Sequence, residues 1–301
     1  MNGILKSLVP SIDFGWNRVR SRCASSSCHN KLLMRPVSQK ASGIRVGQQW
    51  YCSVDCFVAG ARSPLAALCA RRVMDAPRNP RLPLGLALLA RGLLSEDQLR
   101  LATARSQRDE DLEATLLSLG LVSEKQLATV RAAQWGCPVL NQERASKAVV
   151  ADIPPTLLRT FAAAPLHYAP DTKRLVLGFA HRVDHSLLRA IEQMTGCHAE
   201  PCFITPAEVA EQMQLLAAPR DYEEVAVEEP GAPAQMARTL GRLAMEASVQ
   251  EVDFAPCKAW VWARLLGRRR IIDVLFARQN VPAASPVADS FPMRKDLVPV
   301  G

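Results

Sequence analysis

The chain has 301 residues, of which 49% are hydrophobic and 22% charged, and a formal net charge of +8. This composition excludes a wholly disordered chain, and the length suits two or three domains. No apolar run reaches the roughly 18 residues that a membrane-spanning helix needs. The positive charge is uneven, because residues 1–82 hold 13 Lys or Arg and 3 Asp or Glu, a net charge of +10. We therefore expect a basic N-terminal segment that could contact nucleic acid or an anionic membrane.

Nine cysteines, an odd number, with no recognisable export signal predict a reducing, cytoplasmic location and a metal site rather than a disulfide framework. Two close pairs stand out in the basic segment, one with four residues between its cysteines and one with three. Zn²⁺ prefers four soft ligands in a tetrahedron, and all-thiolate sites are structural. The alternatives are four unrelated thiols, or His29 as a substitute ligand. The predicted Zn²⁺ ligands are Cys23, Cys28, Cys52 and Cys56.

The residues around the second pair predict a short strand over 49–51, a helix cap at Ser53 and a helix from Val54 through Ala61. The block at 51–56 resembles the second knuckle of treble-clef zinc fingers. The first pair departs from that family, whose usual gap between cysteines is two residues. The resemblance implies a small zinc-finger-like segment.

An internal duplication lies within residues 83–134. A shift of 28 residues aligns 84–99 with 112–127 at nine identities in sixteen positions. Leucines at helical spacing precede a glycine in each unit, and a Ser-x-x-Gln capping box follows it. Each unit is therefore predicted to be a helix, a glycine turn and a second helix.

The two units resemble the paired motifs of the MshEN-type domain at the N-terminus of type II secretion and type IV pilus assembly ATPases. In that family two tandem motifs bind cyclic di-GMP. The resemblance implies a helical repeat followed by an α/β part, and it carries the nucleotide-binding positions over to the matching residues here. Those residues are Leu84, Gly85, Leu88, Gly92, Leu99, Leu112, Leu116, Gly120, Leu127 and Gln134.

The units depart from the family at polar positions. Asp111 stands where the second motif has Arg, and Glu113 stands where it has Gly. These acids lie where a dinucleotide's phosphates need cationic or backbone N–H donors. The fold without the nucleotide is therefore the favoured interpretation, and Arg81, Arg91 and Arg108 are the candidates for compensation. The remaining departures are Pro83 for Arg, Thr103 for Leu, Ser106 for Gln and Arg131 for Leu.

The resemblance continues beyond the repeat. Residues 135–216 match the second half of the same domain, and three of the histidines there, at 181, 185 and 198, are predicted to lie at the surface or at helix caps. Cys197 and Cys202 flank one of them, but no second ligand pair is nearby, so packed thiols are favoured. The segment from 234 resembles the start of the small domain that precedes the ATPase motor in the family.

The fold class predicted is α+β multidomain, with a small zinc-finger-like segment, a helical tandem repeat with an α/β MshEN-like part, and a small α-β-β-β C-terminal domain. The predicted divisions are a basic four-cysteine segment at 1–62, a helix and linker at 63–82, an MshEN-like domain at 83–216 (repeat 83–134, α/β part 135–216), an acidic linker at 217–233, a truncated small domain at 234–278 and a disordered tail at 279–301.

No GxxxxGK[ST] phosphate loop, G-x-S-x-G elbow or H-E-x-x-H motif occurs in the sequence, so we predict no enzymatic activity. The favoured function is that of a cytoplasmic, bacterial-type adaptor or regulatory protein that contacts a protein of a secretion or pilus-like assembly. It could also associate peripherally with the inner membrane. One alternative is a cyclic di-GMP receptor with degenerate motifs. The other is binding of nucleic acid or an anionic membrane through residues 1–82.

Overall fold

The structure is a computed structural model that describes residues 22–28, 43–71, 82–106, 112–140, 153–216, 222–229 and 231–278. The predicted tail at 279–301, and with it His29, Arg81, Arg108 and Asp111, lies outside these ranges. Within them, no helix has both the length and the apolar character needed to cross a membrane.

The first elements are a short hairpin and a long helix. Strands β1 (Ile44–Val46) and β2 (Gln49–Tyr51) pair antiparallel, and helix α1 (Val54–Ala70) follows. The Ser53 side chain accepts a hydrogen bond from the Cys56 N–H at 3.2 Å and caps α1, as predicted. The helix runs nine residues beyond the predicted end at Ala61, because Leu65 continues its buried face.

The duplicated segment forms four helices in two similar units. Both predicted capping boxes are present, and the two turn glycines adopt the left-handed conformation with φ of 68° and 64°. The predicted helix–glycine–helix units are confirmed. Their bounds are α2 (Leu84–Ala90), α3 (Glu96–Arg105), α4 (Leu112–Ser118) and α5 (Glu124–Trp135).

An α/β part follows the repeat. Its three strands are ordered β3-β4-β5, with β3 and β4 antiparallel and β4 and β5 parallel. The elements are α6 (Pro155–Thr160), β3 (Ala163–Ala169), β4 (Arg174–Phe179), α7 (His185–Thr195), β5 (His198–Phe203) and α8 (Pro206–Leu215).

The C-terminal part supplies four strands and a helix. The segment at 217–233 was expected to be a linker, and this is wrong for 222–227, which form a strand parallel to the last one. The reason is that Val225 and Val227, two positions apart in the sequence, both pack against the core, while Glu223 pairs with Arg270 at 2.7 Å. The elements are β6 (Tyr222–Val227), α9 (Pro233–Glu246), β7 (Val249–Cys257), β8 (Trp260–Gly267) and β9 (Ile271–Ala277).

The N-terminal hairpin and the C-terminal strands belong to one six-stranded sheet, ordered β2-β1-β7-β8-β9-β6. Strand β1 runs parallel to β7, and α1 packs against α9 over one shared hydrophobic core. The opposite face of the sheet, including Trp262 and Leu275, packs against the α/β part. Residues 82–216 thus lie, in chain order, between two contributors to the same sheet.

A glycine on α9 makes the close approach of the two helices possible. A Cβ at Gly241 would lie 2.4 Å from Val58 Cγ2, and the β-branched Val58 cannot swing away easily. We expect Gly241→Leu to lower the free energy of unfolding by about 1–3 kcal/mol through overpacking, measured by urea denaturation. Gly231→Ala is the control, because its nearest contact would be at 3.6 Å. Equal stability of the two variants would contradict close α1–α9 packing.

Candidate functional site

The four predicted zinc ligands converge at the start of α1. Cys23 and Cys28 come from the segment before the hairpin, Cys52 follows β2, and Cys56 lies in the first turn of α1. Their sulfur atoms all lie within 4.8 Å of one another. In the part of the chain that the structure describes, this is the one cluster of three or more potential metal-ligating side chains.

The sulfur spacing suits a metal ion better than a disulfide. Cys52 Sγ lies 3.6 Å from Cys28 Sγ and 3.7 Å from Cys56 Sγ. Sulfurs placed tetrahedrally around Zn²⁺ at about 2.3 Å would be about 3.8 Å apart, whereas a disulfide bond is about 2.05 Å long. The four thiols therefore lie close enough together to hold one metal ion.

Local structure places the thiols. The Ala24 N–H donates to the Trp50 carbonyl at 2.8 Å and holds the first segment along β2. The Ser53 cap then turns the chain into α1, which brings Cys56 back toward Cys52. Cys28 is buried and the other three cysteines are half-buried.

The pKa values of Cys52 and Cys23 are shifted in opposite directions. Burial and hydrogen bonds with the neighbouring thiols raise the pKa of Cys52 to about 12. At Cys23 burial acts in the same direction, but hydrogen bonds from the backbone at Cys52 and Ser25 outweigh it and lower the pKa. Metal binding requires thiolates, so a metal ion entering this site must displace protons.

Many of the residues at the positions carried over for nucleotide binding contribute to the packing of the repeat. Leu88, Leu116 and Leu127 are buried in the core of the repeat. Gly85 packs so closely that a Cβ would lie 2.7 Å from Leu99 Cδ1. The Gln134 side-chain amide donates a hydrogen bond to the Leu82 carbonyl and so ties the end of the second unit to the start of the first.

Two departures from the family form an ion pair with each other. The Arg131 guanidinium donates to the Glu113 carboxylate and to the carbonyl of His181, and the Glu113 and Arg131 side chains are each only 16% exposed. His181 Nδ1 lies 3.7 Å from Glu113 Oε1. This cluster joins α4, α5 and the α/β part. The sequence identified Glu113 and Arg131 as separate departures and did not predict that they pair. Their opposite charges were the one signal that could have predicted it.

The Glu113 carboxylate is held ionised by its neighbours. Burial would raise its pKa, but the His181 hydrogen bond and the Arg131 charge outweigh burial and lower it. Because the folded-state pKa is below the unfolded value of about 4.3, the ion pair contributes its full stability above that value. The contribution is lost as the pH falls through the folded-state pKa.

We expect Glu113→Gln to lower the free energy of unfolding by about 1–3 kcal/mol at pH 7, since Arg131 loses a charged partner in a mostly buried site. The difference from the parent protein should shrink below about pH 4, where the glutamate itself takes up a proton. Urea denaturation at both pH values measures this. A difference that is the same at pH 7 and pH 3 would contradict the ion pair.

The remaining predicted residues lie in ordinary structural roles. His185 is the first residue of α7 and its ring contacts Trp135, while exposed His198 is 2.9 Å from Glu192. Cys197 and Cys202 are buried, as predicted for packed thiols.

No family model matches the chain. The type IV pilus assembly ATPase PilB of Thermus thermophilus is 27% identical over 153 residues, which are 50% of this chain and 17% of that protein. Structural neighbours include the N-terminal domain of XpsE (24% identity, 45% of this chain and 94% of that one, TM-score 0.36). Another is MshE with cdg (25% identity, 44% of this chain and 98% of that one, TM-score 0.37). Over about half its length the chain is thus similar to a type IV pilus assembly ATPase, which confirms the resemblance predicted from the repeat.

Proposed function

We propose that the chain is a non-catalytic adaptor or regulatory protein that contacts a protein of a secretion or pilus-like assembly. The observation that carries the proposal is the Glu113–Arg131–His181 cluster. In this cluster the polar side chains of Glu113 and Arg131, both in the second unit, make contacts within the chain. They are therefore not available to a nucleotide phosphate.

The electrostatics of the second unit support this proposal. Phosphates bind where cationic side chains or backbone N–H groups point into an accessible site. Here the one arginine described on α5 is directed to Glu113 and a carbonyl, and the carboxylate would repel an anion. The Gln134 amide is also engaged, with Leu82.

The sequence relative supplies the class of partner. It takes its name from type IV pilus assembly, and the matched part is a small fraction of its length. The 301 residues contain no phosphate loop, so ATP hydrolysis is not proposed for them. The role proposed instead is contact with another protein of such an assembly.

The second candidate is a cyclic di-GMP receptor, which the ten retained motif positions favour. Calorimetric titration of the full chain with cyclic di-GMP separates the two functions. We expect no saturable heat at high micromolar nucleotide. As a comparison, Glu113→Gly with Arg131→Leu restores the family's residues at two of the six departures and removes the repelling carboxylate. Saturable heat with the unaltered protein would overturn the adaptor proposal in favour of the receptor.

Binding to nucleic acid or an anionic membrane through residues 1–82 stays a prediction, because much of that charge lies outside the described residues. This hypothesis predicts binding whose affinity falls steeply as the salt concentration rises, and which disappears when residues 1–82 are deleted.

A further inference from the structure

The β1–β2 hairpin is attached to the sheet by few contacts of its own. Each strand has three residues, and the ladder between β1 and β7 pairs only Arg45 with Glu251 and Val46 with Val252. The ion pair between Arg45 and Glu251, at 2.7 Å, is partly exposed to solvent. Two buried side chains, Ile44 and Tyr51, reach the core shared with α1, whereas the backbone of the hairpin joins the rest of the sheet over these two residue pairs only.

Helix α1 has attachments that do not involve the thiols. Phe57, Ala61 and Leu65 are almost completely buried in the core shared with α9. At its other end, the Arg278 guanidinium donates to the Cys69 carbonyl at 3.0 Å and to the Arg71 carbonyl. A cation at the carbonyl end of a helix is favourable for the helix dipole. The helix is therefore fixed at both ends of its length.

The thiol cluster joins these two unequally held elements. Cys52 ends the hairpin, Cys56 belongs to the firmly held helix, and Cys23 and Cys28 belong to the segment that lies along β2. A metal ion bound by all four thiols would tie the hairpin to α1, which is itself firmly held. Without it, the hairpin keeps its short ladder and the side chains of Ile44 and Tyr51 as its main attachments.

We propose that the four-cysteine metal centre is the latch of a strap formed by residues 43–51. With metal bound, the strap covers the edge of β7 at Glu251 and Val252. When metal is lost, the strap detaches while α1, α9 and the α/β part stay folded. This device rests on the metal site and goes beyond the adaptor role.

Hydrogen exchange of the full chain, followed by mass spectrometry, tests the latch. Three samples are compared: protein loaded with Zn²⁺, the same protein after a zinc chelator, and Cys52→Ser. We expect peptides covering 43–51 and the first half of β7 to exchange about tenfold faster or more in the last two samples. Peptides covering 57–65 and β4 should keep their protection, and added Zn²⁺ should restore the strap in the chelated protein but not in the variant.

Cys137→Ser is the matched control, since Cys137 lies in the α/β half of the molecule, apart from the cluster. It should exchange like the zinc-loaded protein. Protection of 43–51 that does not change on chelation would overturn the latch, as would equal loss of protection across all peptides, which would mean global unfolding. These results are independent of nucleotide or partner binding, so failure of the latch is distinguishable from failure of the proposed function.

Discussion

Asp273→Ala is expected to cost about 3–5 kcal/mol in the free energy of unfolding, because it removes the carboxylate beside a buried guanidinium. Asp273 is 0% exposed on β9 and accepts hydrogen bonds from Arg264 Nε at 2.9 Å and Nη2 at 2.6 Å. The Trp262 indole N–H donates to the same carboxylate at 2.8 Å. Arg264 is 5% exposed, so solvent cannot replace these bonds without opening the sheet.

Urea denaturation of the variant measures the loss, and Asp171→Ala is the control because Asp171 lies in an exposed turn. The control should change stability by no more than about 0.5 kcal/mol. A cost below about 1 kcal/mol for Asp273→Ala would contradict a buried charged network between β8 and β9.

Cys52→Ser is expected to reduce bound zinc from about one ion per chain to near none, because three thiolates and a hydroxyl bind Zn²⁺ far more weakly than four thiolates. Cys52 Sγ lies 3.6 Å from Cys28 Sγ and 3.7 Å from Cys56 Sγ. Elemental analysis of the purified protein measures the metal. Zinc should also dissociate as the pH falls, since protons compete with the metal ion for the thiolates.

Cys137→Ser should retain the zinc of the parent protein, and circular dichroism verifies that both variants are folded. Metal content unchanged by Cys52→Ser would exclude Cys52 as a ligand. Absence of metal from the parent protein, even after zinc is added, would contradict the site as a whole.

The repeat could be predicted from the sequence because its signals are local. The turn glycines, the capping boxes at Ser95 and Ser123, and the leucine spacing all act within a few residues of one another. The convergence of the four thiols was also predictable, since two short loops with zinc-ligand chemistry leave few other arrangements.

Contacts across long sequence distances could not be predicted. Strand β1 has three residues and pairs with β7 some 200 residues later, so no local pattern marks the pairing. Strand β6 carries two glutamates, and acidic residues with nearby prolines favour a linker unless the partner strand is known. Glu113 and Arg131 are each unfavourable when considered alone, and only the folded structure, which brings α4 and α5 together, shows that they form an ion pair.

The most direct test of the proposed function is binding of the purified full chain to the purified assembly proteins, the ATPases included, of the secretion and pilus systems in the same cell. Biolayer interferometry with each protein, with and without cyclic di-GMP, provides the measurement. The adaptor proposal predicts saturable binding to at least one of these proteins, with an affinity that cyclic di-GMP does not change. Absence of binding to all of them, or binding only in the presence of the nucleotide, would contradict it.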